Sequence, residues 1–509
     1  MLKIGDKIRQ EVTSEVVGIY DVVVCGGGTA GCTAAIAAAR NGAKVALLEA
    51  TSVLGGMLTY GNAGLTNYVY HGKDADTQAK ITERLRKKPK SAQIVGGIPL
   101  EFAHRLLKQN DAVGTGGTAN TYVYTDCQEF KILLFEMLKE AGVDIFLRSP
   151  ICDVIMQDNS ISCVVTQTKL GRRAYAAKQF IDSTGDGDVA ALSGVPFVLG
   201  VGEDDSVYKQ GLMPLGAQHG MGSMFRIGGV DFGRYIEHIR NHPQEYKPTR
   251  AGQQTMDEFI IAYENGEMMN GLGTMLSTEE FDRASANGEI IHPHKLLGTQ
   301  WFQIYNYPRE GIMVGCLSMP EVWEGENIVN RNSLEVKDIT RSEYDTMIAA
   351  REKVNRLKEN TPGFENAFVL DSPMGIRESR HIVGEYKLNI IDILNKVEFP
   401  DAIGKGSHPI DVWPIPAEVN NMTKPEEWSF DIPYRCMIPK NIFNLLVAGR
   451  CASATREAYG CIRPTAQCMV LGEAAGTASA ILCKNGITRT KDINTDELRR
   501  VLKSNGVVL

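Results

Sequence analysis

The chain has 509 residues, which is too many for one ordinary hydrophobic core, and we expect two or three domains. Its formal net charge of −7 and its lack of a basic stripe or tail argue against a nucleic-acid-binding protein. The 43% hydrophobic and 23% charged residues are typical of a globular protein, and we see no run of about 20 apolar residues that predicts a membrane span.

The chain has 11 cysteines, none of them in a Cys-x-x-Cys pair. An odd number without framework spacing indicates reduced, mostly buried thiols, and it argues against iron–sulfur and structural zinc sites. The first residues lack the apolar segment of a signal peptide. We therefore expect a cytoplasmic protein without a metal centre.

The first elements predict a βαβ unit. Tyr20 to Cys25 is a valine-rich run typical of a buried parallel strand. The alanine-rich segment Cys32 to Arg40 predicts a helix that ends at Asn41-Gly42, and Ala43 to Glu49 predicts the next strand. The unit is completed by a glycine-rich connection between the first strand and the helix.

That connection, Gly26 to Gly31, has the form G-x-G-x-x-G. Gly26 suits a tight turn, Gly28 lets backbone approach a pyrophosphate, and Gly31 lets the helix pack on the strand. The N-terminus of the helix also attracts phosphate. Glu49 lies 23 positions after Gly26, where a carboxylate accepts ribose hydroxyls and repels the 2′-phosphate of NADP. The alternative is a glycine turn without a ligand.

Residues 50–120 are predicted to be rich in loops, and later elements continue the α/β pattern. The predictions in chain order are a helix at Gln128–Ala141, a parallel strand at Val143–Leu147, an antiparallel meander near 151–156, 161–168 and 173–180, a strand at Phe180–Thr184, a strand at Ile438–Ala448 and a helix at Thr465–Lys484.

Three more motifs have ligand-binding character, each with a structural alternative. Leu54 to Met57 contains paired glycines that allow a second backbone approach, although a plain loop explains them too. Asp182 to Asp188 joins a strand to a helix, and its alternative is a capped turn. A strand ending at Gly449 precedes Arg450 and Arg463, which could stabilise the anion of a reduced flavin or form structural salt bridges.

These motifs, in this order, resemble the FAD-dependent oxidoreductases of the glutathione-reductase-like superfamily and, more distantly, the succinate dehydrogenase and fumarate reductase flavoproteins. The resemblance spans roughly residues 20 to 485 and is most detailed in Lys178–Gly194, Gly375–Tyr386 and Asn444–Ala480. It implies an α/β fold: a Rossmann-like FAD-binding domain, with a parallel sheet and an antiparallel β-meander, interrupted by an inserted α+β substrate domain. The expected bounds are 18–195 and 433–490 for the FAD-binding domain, 196–432 for the substrate or cap domain and 491–509 for a C-terminal helix.

The resemblance also implies which residues bind FAD. They lie in the four motifs and in the strand near the adenine: Gly26, Gly28, Thr29, Ala30, Gly31, Glu49, Ala50, Gly55, Gly56, Met57, Ile151, Thr184, Gly185, Asp186, Gly449, Arg450, Arg463, Gly472 and Ala475. One position departs from the pattern, because many members of the group have a histidine where this chain has Arg456. Because of this departure, the substrate charge or the type of reaction could differ from that of the group.

The implied reaction is hydride transfer between N5 of the flavin and a small organic substrate. No Cys-x₄-Cys follows Glu49, which argues against a disulfide reductase, and no second dinucleotide motif indicates a separate NAD(P)H domain. We therefore expect a soluble electron acceptor, a quinone or oxygen, and homo-oligomerisation stays open. Two alternatives are a flavin-bound tRNA-modifying or RNA-binding protein, which the acidic charge disfavours, and an NAD-binding protein without flavin.

The catalytic candidates on the substrate side are Arg377, Arg380 and His381. Arginine binds carboxylates through a bidentate fork, and histidine exchanges protons near neutral pH. The alternative is a buried ion-pair network with Glu378 and Glu385. Weaker candidates are Tyr68 and His71, and His219 is interpreted as structural.

Overall fold

The computed structural model of the protein describes residues 3–62, 64–66, 93–114, 122–243, 256–266, 304–306, 309, 311–318, 322–324, 327–329, 331–412 and 428–509. The weaker candidates Tyr68 and His71 lie outside the described residues.

The strands β1 to β21 are, in chain order, Glu15–Cys25, Val45–Leu48, Leu65–Thr66, Ala112–Gly114, Tyr122–Thr125, Asp144–Phe146, Ile151–Gln157, Ser160–Thr168, Gly171–Asp182, Phe197–Leu199, Gly222–Gly228, Ile304–Asn306, Met313–Ser318, Val322–Glu324, Asn327–Val329, Phe368–Asp371, Met374–Gly375, Arg380–Ile382, Ala402–Gly406, Phe430–Pro433 and Leu445–Val447. The α-helices α1 to α12 are Thr29–Arg40, Gly97–Lys108, Cys127–Glu140, Asp188–Leu192, Ser206–Lys209, Phe232–Asn241, Met256–Glu264, Val336–Asn360, Ile390–Leu394, Arg456–Ile462, Thr465–Lys484 and Thr495–Ser504.

The main sheet has the order β6-β2-β1-β9-β8-β7, and β21 pairs with β9 beyond the end of β8. The strands β6, β2, β1, β9 and β21 are parallel, whereas β7, β8 and β9 form an antiparallel meander. Cys25 pairs with both Leu48 and Asp182, and Asp182 pairs with Val447. The carboxyl ends of four parallel strands therefore lie at one edge of the sheet, where α/β proteins bind ligands.

The main sheet is covered on both faces, which explains the continuous apolar run in β1. Val22 and Val24 belong to the hydrophobic cluster that contains α1 and α11, whereas Val23 and Cys25 belong to the cluster on the opposite face. All four side chains are fully buried. Burial on both faces is the usual environment of a parallel sheet.

A second, antiparallel sheet has the order β12-β13-β11-β16, with β17 also paired to β11. Its own hydrophobic cluster includes Phe225 and Ile227 of β11, Tyr235 of α6 and Phe364. Gly222 pairs with Gly375, so this sheet holds the chain just before Arg377.

The structure confirms the predicted mixed α/β class, with its parallel sheet and meander, and the predicted βαβ unit. The predicted segments 173–180 and 180–184 are in fact one strand, β9, which pairs with β8 at its start and with β21 at its end. The prediction of loops over 50–120 was wrong at α2, and the strand expected from Ile438 begins only at Leu445. Asn441 has a φ of 68°, which an extended strand does not accommodate. The domain bounds stay a prediction.

One described helix, α11, is long and apolar enough to cross a membrane by length and composition, which the sequence analysis overlooked. However, 94% of its apolar window is buried inside the protein. The helix therefore has the environment of a core helix.

Candidate functional site

The first three motifs meet at the carboxyl edge of the main sheet. Gly26 has a φ of 99°, and a Cβ built on it would lie 2.4 Å from the carbonyl oxygen of Ser183. A Cβ on Gly56 would lie 3.2 Å from the Cα of Gly28, and the Gly55 N–H donates to the Gly27 carbonyl over 2.8 Å. The chain turns of the three motifs therefore pack against one another through backbone, which only glycine permits at Gly26.

The fourth motif completes the convergence. Gly449, with a φ of 92°, would place a Cβ 3.0 Å from the Cβ of Ala30 at the start of α1. A Cβ on Gly185 would lie 2.8 Å from Nη2 of Arg450. Segments separated by more than 400 positions in the sequence thus surround the N-terminus of α1.

Gly28 faces open space at that N-terminus. A Cβ on Gly28 would have no heavy atom of the described residues within 4 Å, whereas one on Gly31 would lie 1.8 Å from the Gly26 carbonyl oxygen. Within the described part of the chain no side chain caps α1, and the first N–H groups of a helix have no partner within the helix. The space, the donors and the positive end of the helix dipole fit the pyrophosphate of a dinucleotide. Thr29 and Ala30 supply the next backbone positions.

Glu49 is held firmly at the end of β2. Its carboxylate accepts hydrogen bonds from the Gly27 N–H over 2.6 Å and from the Thr51 N–H over 2.7 Å. The neighbouring Ala50 is exposed, and the Ser149 N–H donates to the Glu49 carbonyl, so the chain before Ile151 lies beside this carboxylate. Each carboxylate oxygen has a second lone pair with which it could accept a ribose hydroxyl.

Asp182 shapes the third motif, a role that the sequence analysis did not assign. Its carboxylate accepts from the Thr184 N–H and hydroxyl and from the Ala190 N–H, and burial raises the pKa of this group to about 6. The Thr184 hydroxyl in turn accepts from the Asp188 N–H at the start of α4. The motif is therefore a capped turn, as the structural alternative expected. It also lies at the edge of the main sheet where the four motifs meet.

Arg450 and Arg463 both form salt bridges. Arg450 Nη2 lies 2.7 Å from Asp186 Oδ1, and Arg450 Nη1 donates to the hydroxyl of Ser379. Burial works to lower the pKa of Arg450, but the Asp186 charge outweighs it and raises that pKa. Arg463 lies 2.5 Å from Asp411 Oδ2 through Nη2, and it also donates to the Asp411 carbonyl. In the described structure both arginines thus form salt bridges, as the structural alternative expected. A role of either arginine beside a flavin stays a prediction.

Gly472 and Ala475 are placed in the contact between α1 and α11. A Cβ on Gly472 would lie 2.2 Å from the Ala30 carbonyl oxygen, and Ala475 is fully buried. Both residues therefore lie in the packed core of the protein, and a direct contact of either with the cofactor stays a prediction. Met57, in contrast, is half-buried and contacts the site of Gly375, just before Arg377.

The three catalytic candidates have different environments. Arg380 Nη1 lies 2.8 Å from Asp188 Oδ1 and donates to the Asp186 carbonyl over 2.9 Å. His381 is buried and its Nε2 lies 3.0 Å from Glu378 Oε1. The guanidinium of Arg377, in contrast, has no hydrogen-bond or ion-pair partner among the residues that the structure describes.

A buried ion pair lies beneath these candidates. Arg456 Nε and Glu378 Oε1 are 3.2 Å apart, and both side chains are completely buried. Burial alone would raise the pKa of Glu378, but Arg456 and the hydrogen bond from His381 lower it to about 2. The alternative of a buried ion-pair network is therefore correct for Glu378 and His381. The arginine in that network is Arg456, and neither Arg377 nor Arg380 pairs with Glu378 in the described structure. Glu385 is exposed.

Other functional candidates come from parts of the chain that the sequence analysis did not connect. Ser379 donates to Asp186 Oδ1 over 2.6 Å, and the Tyr459 hydroxyl donates to the Arg377 carbonyl. His219 is buried, and its backbone N–H donates to Glu378. The signal for Ser379 and Tyr459 was their position in the Gly375–Tyr386 and Asn444–Ala480 segments of the resemblance, whereas nothing local distinguished His219.

A family model described as "FAD dependent oxidoreductase" matches residues 21–502. No curated protein sequence matches the chain. The family match covers the main sheet, all four motifs and the candidates around Arg377.

The similar solved structures are distant. A geranylgeranyl bacteriochlorophyll reductase-like protein from Thermoplasma acidophilum is 13% identical, with a TM-score of 0.44, over 96% of this chain and 84% of that chain. A p-nitrophenol 4-monooxygenase from Pseudomonas putida DLL-E4 is 13% identical, with a TM-score of 0.39, over 96% of this chain and 86% of that chain. The L-proline dehydrogenase from P. horikoshii is 11% identical, with a TM-score of 0.36, over 97% of this chain and 99% of that chain. At such TM-scores none of them bears on the substrate.

Proposed function

Because the chain belongs to the FAD dependent oxidoreductase family, it is an FAD-dependent enzyme, and we propose that it transfers hydride between N5 of FAD and a small organic substrate. The substrate would lie near Arg377. The four motifs would then lie between the substrate and the N-terminus of α1. We also propose that the chain belongs to the glutathione-reductase-like superfamily, because its four motifs occur in the order that the superfamily resemblance implies.

The single observation that carries the proposal is the convergence of the four motifs around open space at Gly28. The pyrophosphate would bind at the N-terminus of α1, with the backbone of Gly28 and Gly56 close to it and the ribose near Glu49. Bound FAD supplies a two-electron acceptor and donor, and the chain supplies position and charge.

Residues 377–381 connect the two sides of this site. Ser379 hydrogen-bonds to Asp186 and Arg450, which lie at the third and fourth motifs. Arg377 lies on the same short segment, and the hydroxyl of Tyr459 fixes its backbone. A substrate held by Arg377 would therefore be positioned by the same segment that contacts the cofactor-binding motifs.

The path of the electrons after substrate oxidation is also a proposal. The described residues hold no group of three or more His, Cys, Asp or Glu side chains that could bind a metal ion. We propose that electrons leave through a soluble carrier, a quinone or oxygen.

Anaerobic absorbance spectroscopy of the purified protein tests the proposal. The oxidised protein, mixed with hydroxy acids, amines, sugars and saturated acids in turn, should lose the visible flavin band with one class. The same protein should regain the band when an electron acceptor is added. A protein that binds FAD but keeps an unchanged spectrum with every donor, and that is not reoxidised by any enoate or ketone after chemical reduction, would show that hydride transfer to small molecules is not its function.

A further inference from the structure

A cluster of charged and titratable side chains lies around Arg377. It consists of His219, Arg377, His408, Asp411 and Arg463, and we call it the arginine–histidine cluster. Arg463 and Asp411 form a salt bridge, and the positive charges of Arg377 and Arg463 both act on the carboxylate of Asp411. The side chains of the cluster are therefore close enough to interact electrostatically.

The cluster has one positive charge that its own residues do not balance. Asp411 neutralises Arg463, and burial lowers the pKa values of His219 and His408, so both imidazoles are uncharged at neutral pH. Arg377 is half-buried and has no ion-pair partner among the described residues. A partly buried guanidinium is best stabilised by an anion, and its planar fork suits a carboxylate.

His219 provides a second, independent observation. Its side chain is 8% exposed, and its Nε2 is buried without any hydrogen-bond partner in the described structure. Burial lowers the pKa of His219 far below its usual value, and Arg377 and Arg463 lower it further, against the opposing effects of Asp411 and Glu378. Its backbone is fixed, because its N–H donates to Glu378. An unpartnered nitrogen on a buried, uncharged imidazole is available to accept a proton from a ligand.

We propose that Arg377 and His219 form the substrate site for a 2-hydroxy acid. Arg377 binds the carboxylate, and His219 Nε2 accepts the proton of the neighbouring hydroxyl. The C–H electron pair leaves as hydride to FAD and the O–H bond breaks, which gives a 2-oxo acid and a protonated His219. This inference rests on the proposed function, because FAD accepts the two electrons.

The surroundings favour a hydroxyl over two other groups. An amino acid carries an ammonium group at neutral pH, which the charges of Arg377 and Arg463 would repel. A saturated acid would have to lose a carbon-bound proton, which an imidazole of lowered basicity accepts poorly. A hydroxyl proton becomes acidic as the hydride leaves, so the weakly basic His219 suffices.

A binding titration tests the site without relying on turnover. Oxidised FAD-loaded protein would be titrated with glyoxylate and with pyruvate, and the shift of the flavin absorbance band would give a Kd. Uncharged pyruvamide is the ligand control. We expect both 2-oxo acids to shift the band and pyruvamide to leave it unchanged.

Three variants separate the two roles. Arg377→Gln should raise the Kd for the 2-oxo acids at least about tenfold, the equivalent of 1.4 kcal/mol, and Arg377→Lys should recover part of the affinity. His219→Gln should keep the Kd within about threefold, while anaerobic bleaching by glycolate or lactate slows at least about 100-fold, as expected for the loss of a general base. The matched controls are Arg435→Gln, at an arginine paired with Asp401, and His238→Gln, in α6. Both controls should behave as wild type.

The possible results distinguish this inference from the proposed function. FAD-loaded protein that is bleached by alanine or by 1,2-propanediol, but neither binds 2-oxo acids nor is bleached by 2-hydroxy acids, overturns the 2-hydroxy acid site and leaves the proposed function intact. Wild-type affinity for 2-oxo acids in both Arg377 variants also overturns it. Protein that takes up no FAD overturns both.

Discussion

At the scale of single residues, Gly28 gives the sharpest test of the cofactor site. Its φ of −70° is accessible to any residue, and a Cβ there meets no atom of the described residues within 4 Å. Gly28→Ala should therefore fold normally but project a methyl group into the space of the pyrophosphate. We expect the Kd for FAD to rise at least about tenfold, as measured by fluorescence titration, which corresponds to 1.4 kcal/mol.

The control for Gly28→Ala is Gly233→Ala, because a Cβ on Gly233 also finds space and lies 3.5 Å from Asp231 Oδ1. This residue lies in α6, away from the four motifs, and its substitution should leave FAD binding unchanged. Equal FAD affinity in the wild type and in Gly28→Ala would mean that the cofactor does not approach this backbone.

Arg456, at the position where the resemblance led us to expect a histidine, forms a fully buried ion pair with Glu378. Arg456→Met would leave the Glu378 carboxylate buried without its cation, which typically costs about 3–5 kcal/mol of unfolding free energy. Denaturant unfolding at pH 7 measures this loss. Arg105→Met, at a partly exposed arginine paired with Glu140, should cost no more than about 1 kcal/mol.

The same ion pair predicts a pH dependence. The pKa of Glu378 is lowered from 4.5 to about 2, so its stabilising contribution is complete above pH 4.5 and is lost as the pH falls towards 2. The difference in unfolding free energy between the wild type and Arg456→Met should shrink over this range. A difference that is constant from pH 7 to pH 3 would argue against a charged Glu378.

At the scale of elements, Glu473 of α11 lies at the N-terminus of α2. Its Oε2 accepts from the Ile98 N–H over 3.0 Å, its Oε1 has no partner in the described structure, and burial raises its pKa to about 8. A carboxyl group with a raised pKa destabilises the folded state increasingly as the pH rises from 4.5 to 8. Glu473→Gln removes the ionisation.

We therefore expect Glu473→Gln to match the wild type in unfolding free energy at pH 5 and to exceed it at pH 9 by at least about 1.4 kcal/mol, the value of one pKa unit. Chemical denaturation at the two pH values provides the measurement. A variant that is less stable than the wild type at pH 9 would show that the ionised carboxylate, and not the neutral acid, stabilises the start of α2.

The elements that could be predicted from sequence are those whose signals are local. The helix at Thr465–Lys484 was predicted with its observed bounds, since small and apolar residues predominate between Pro464 and Asn485. The first βαβ unit was also predicted, because valine-rich strands and a glycine turn are adjacent in the chain. The helix α2 was missed although Ile98, Phe102 and Leu106 follow a helical period, since flanking glycines indicated loops.

The parts of the site that could not be predicted depend on distant contacts. His219 and Glu378 are 159 positions apart, and the pairing of β11 with β17 helps to bring them together. Gly472 was assigned to the cofactor by the resemblance alone, and nothing in the sequence indicated that it packs on Ala30. Sequence spacing indicates which element carries a residue, and tertiary packing decides which side of the element faces the ligand.

At the scale of the whole molecule, the chain brings together two sheets around one edge. The main sheet supplies the four motifs, and the antiparallel sheet holds Arg377 through the pairing of Gly222 with Gly375. The buried ion pair of Glu378 with Arg456 and the part-buried hydrogen bond from the Ser206 N–H to Glu457 join the segments that carry these sheets. By our proposals, a dinucleotide and a small anionic substrate would both bind next to residues 377–381.

The most direct test of this account is the flavin content of the purified protein. The protein would be reconstituted with FAD, freed of excess ligand and precipitated with acid, and the released flavin would be identified and quantified. We predict that wild-type protein retains a single FAD per chain and that Gly28→Ala retains much less. Wild-type protein that stays colourless and releases no FAD after reconstitution would contradict the central claim.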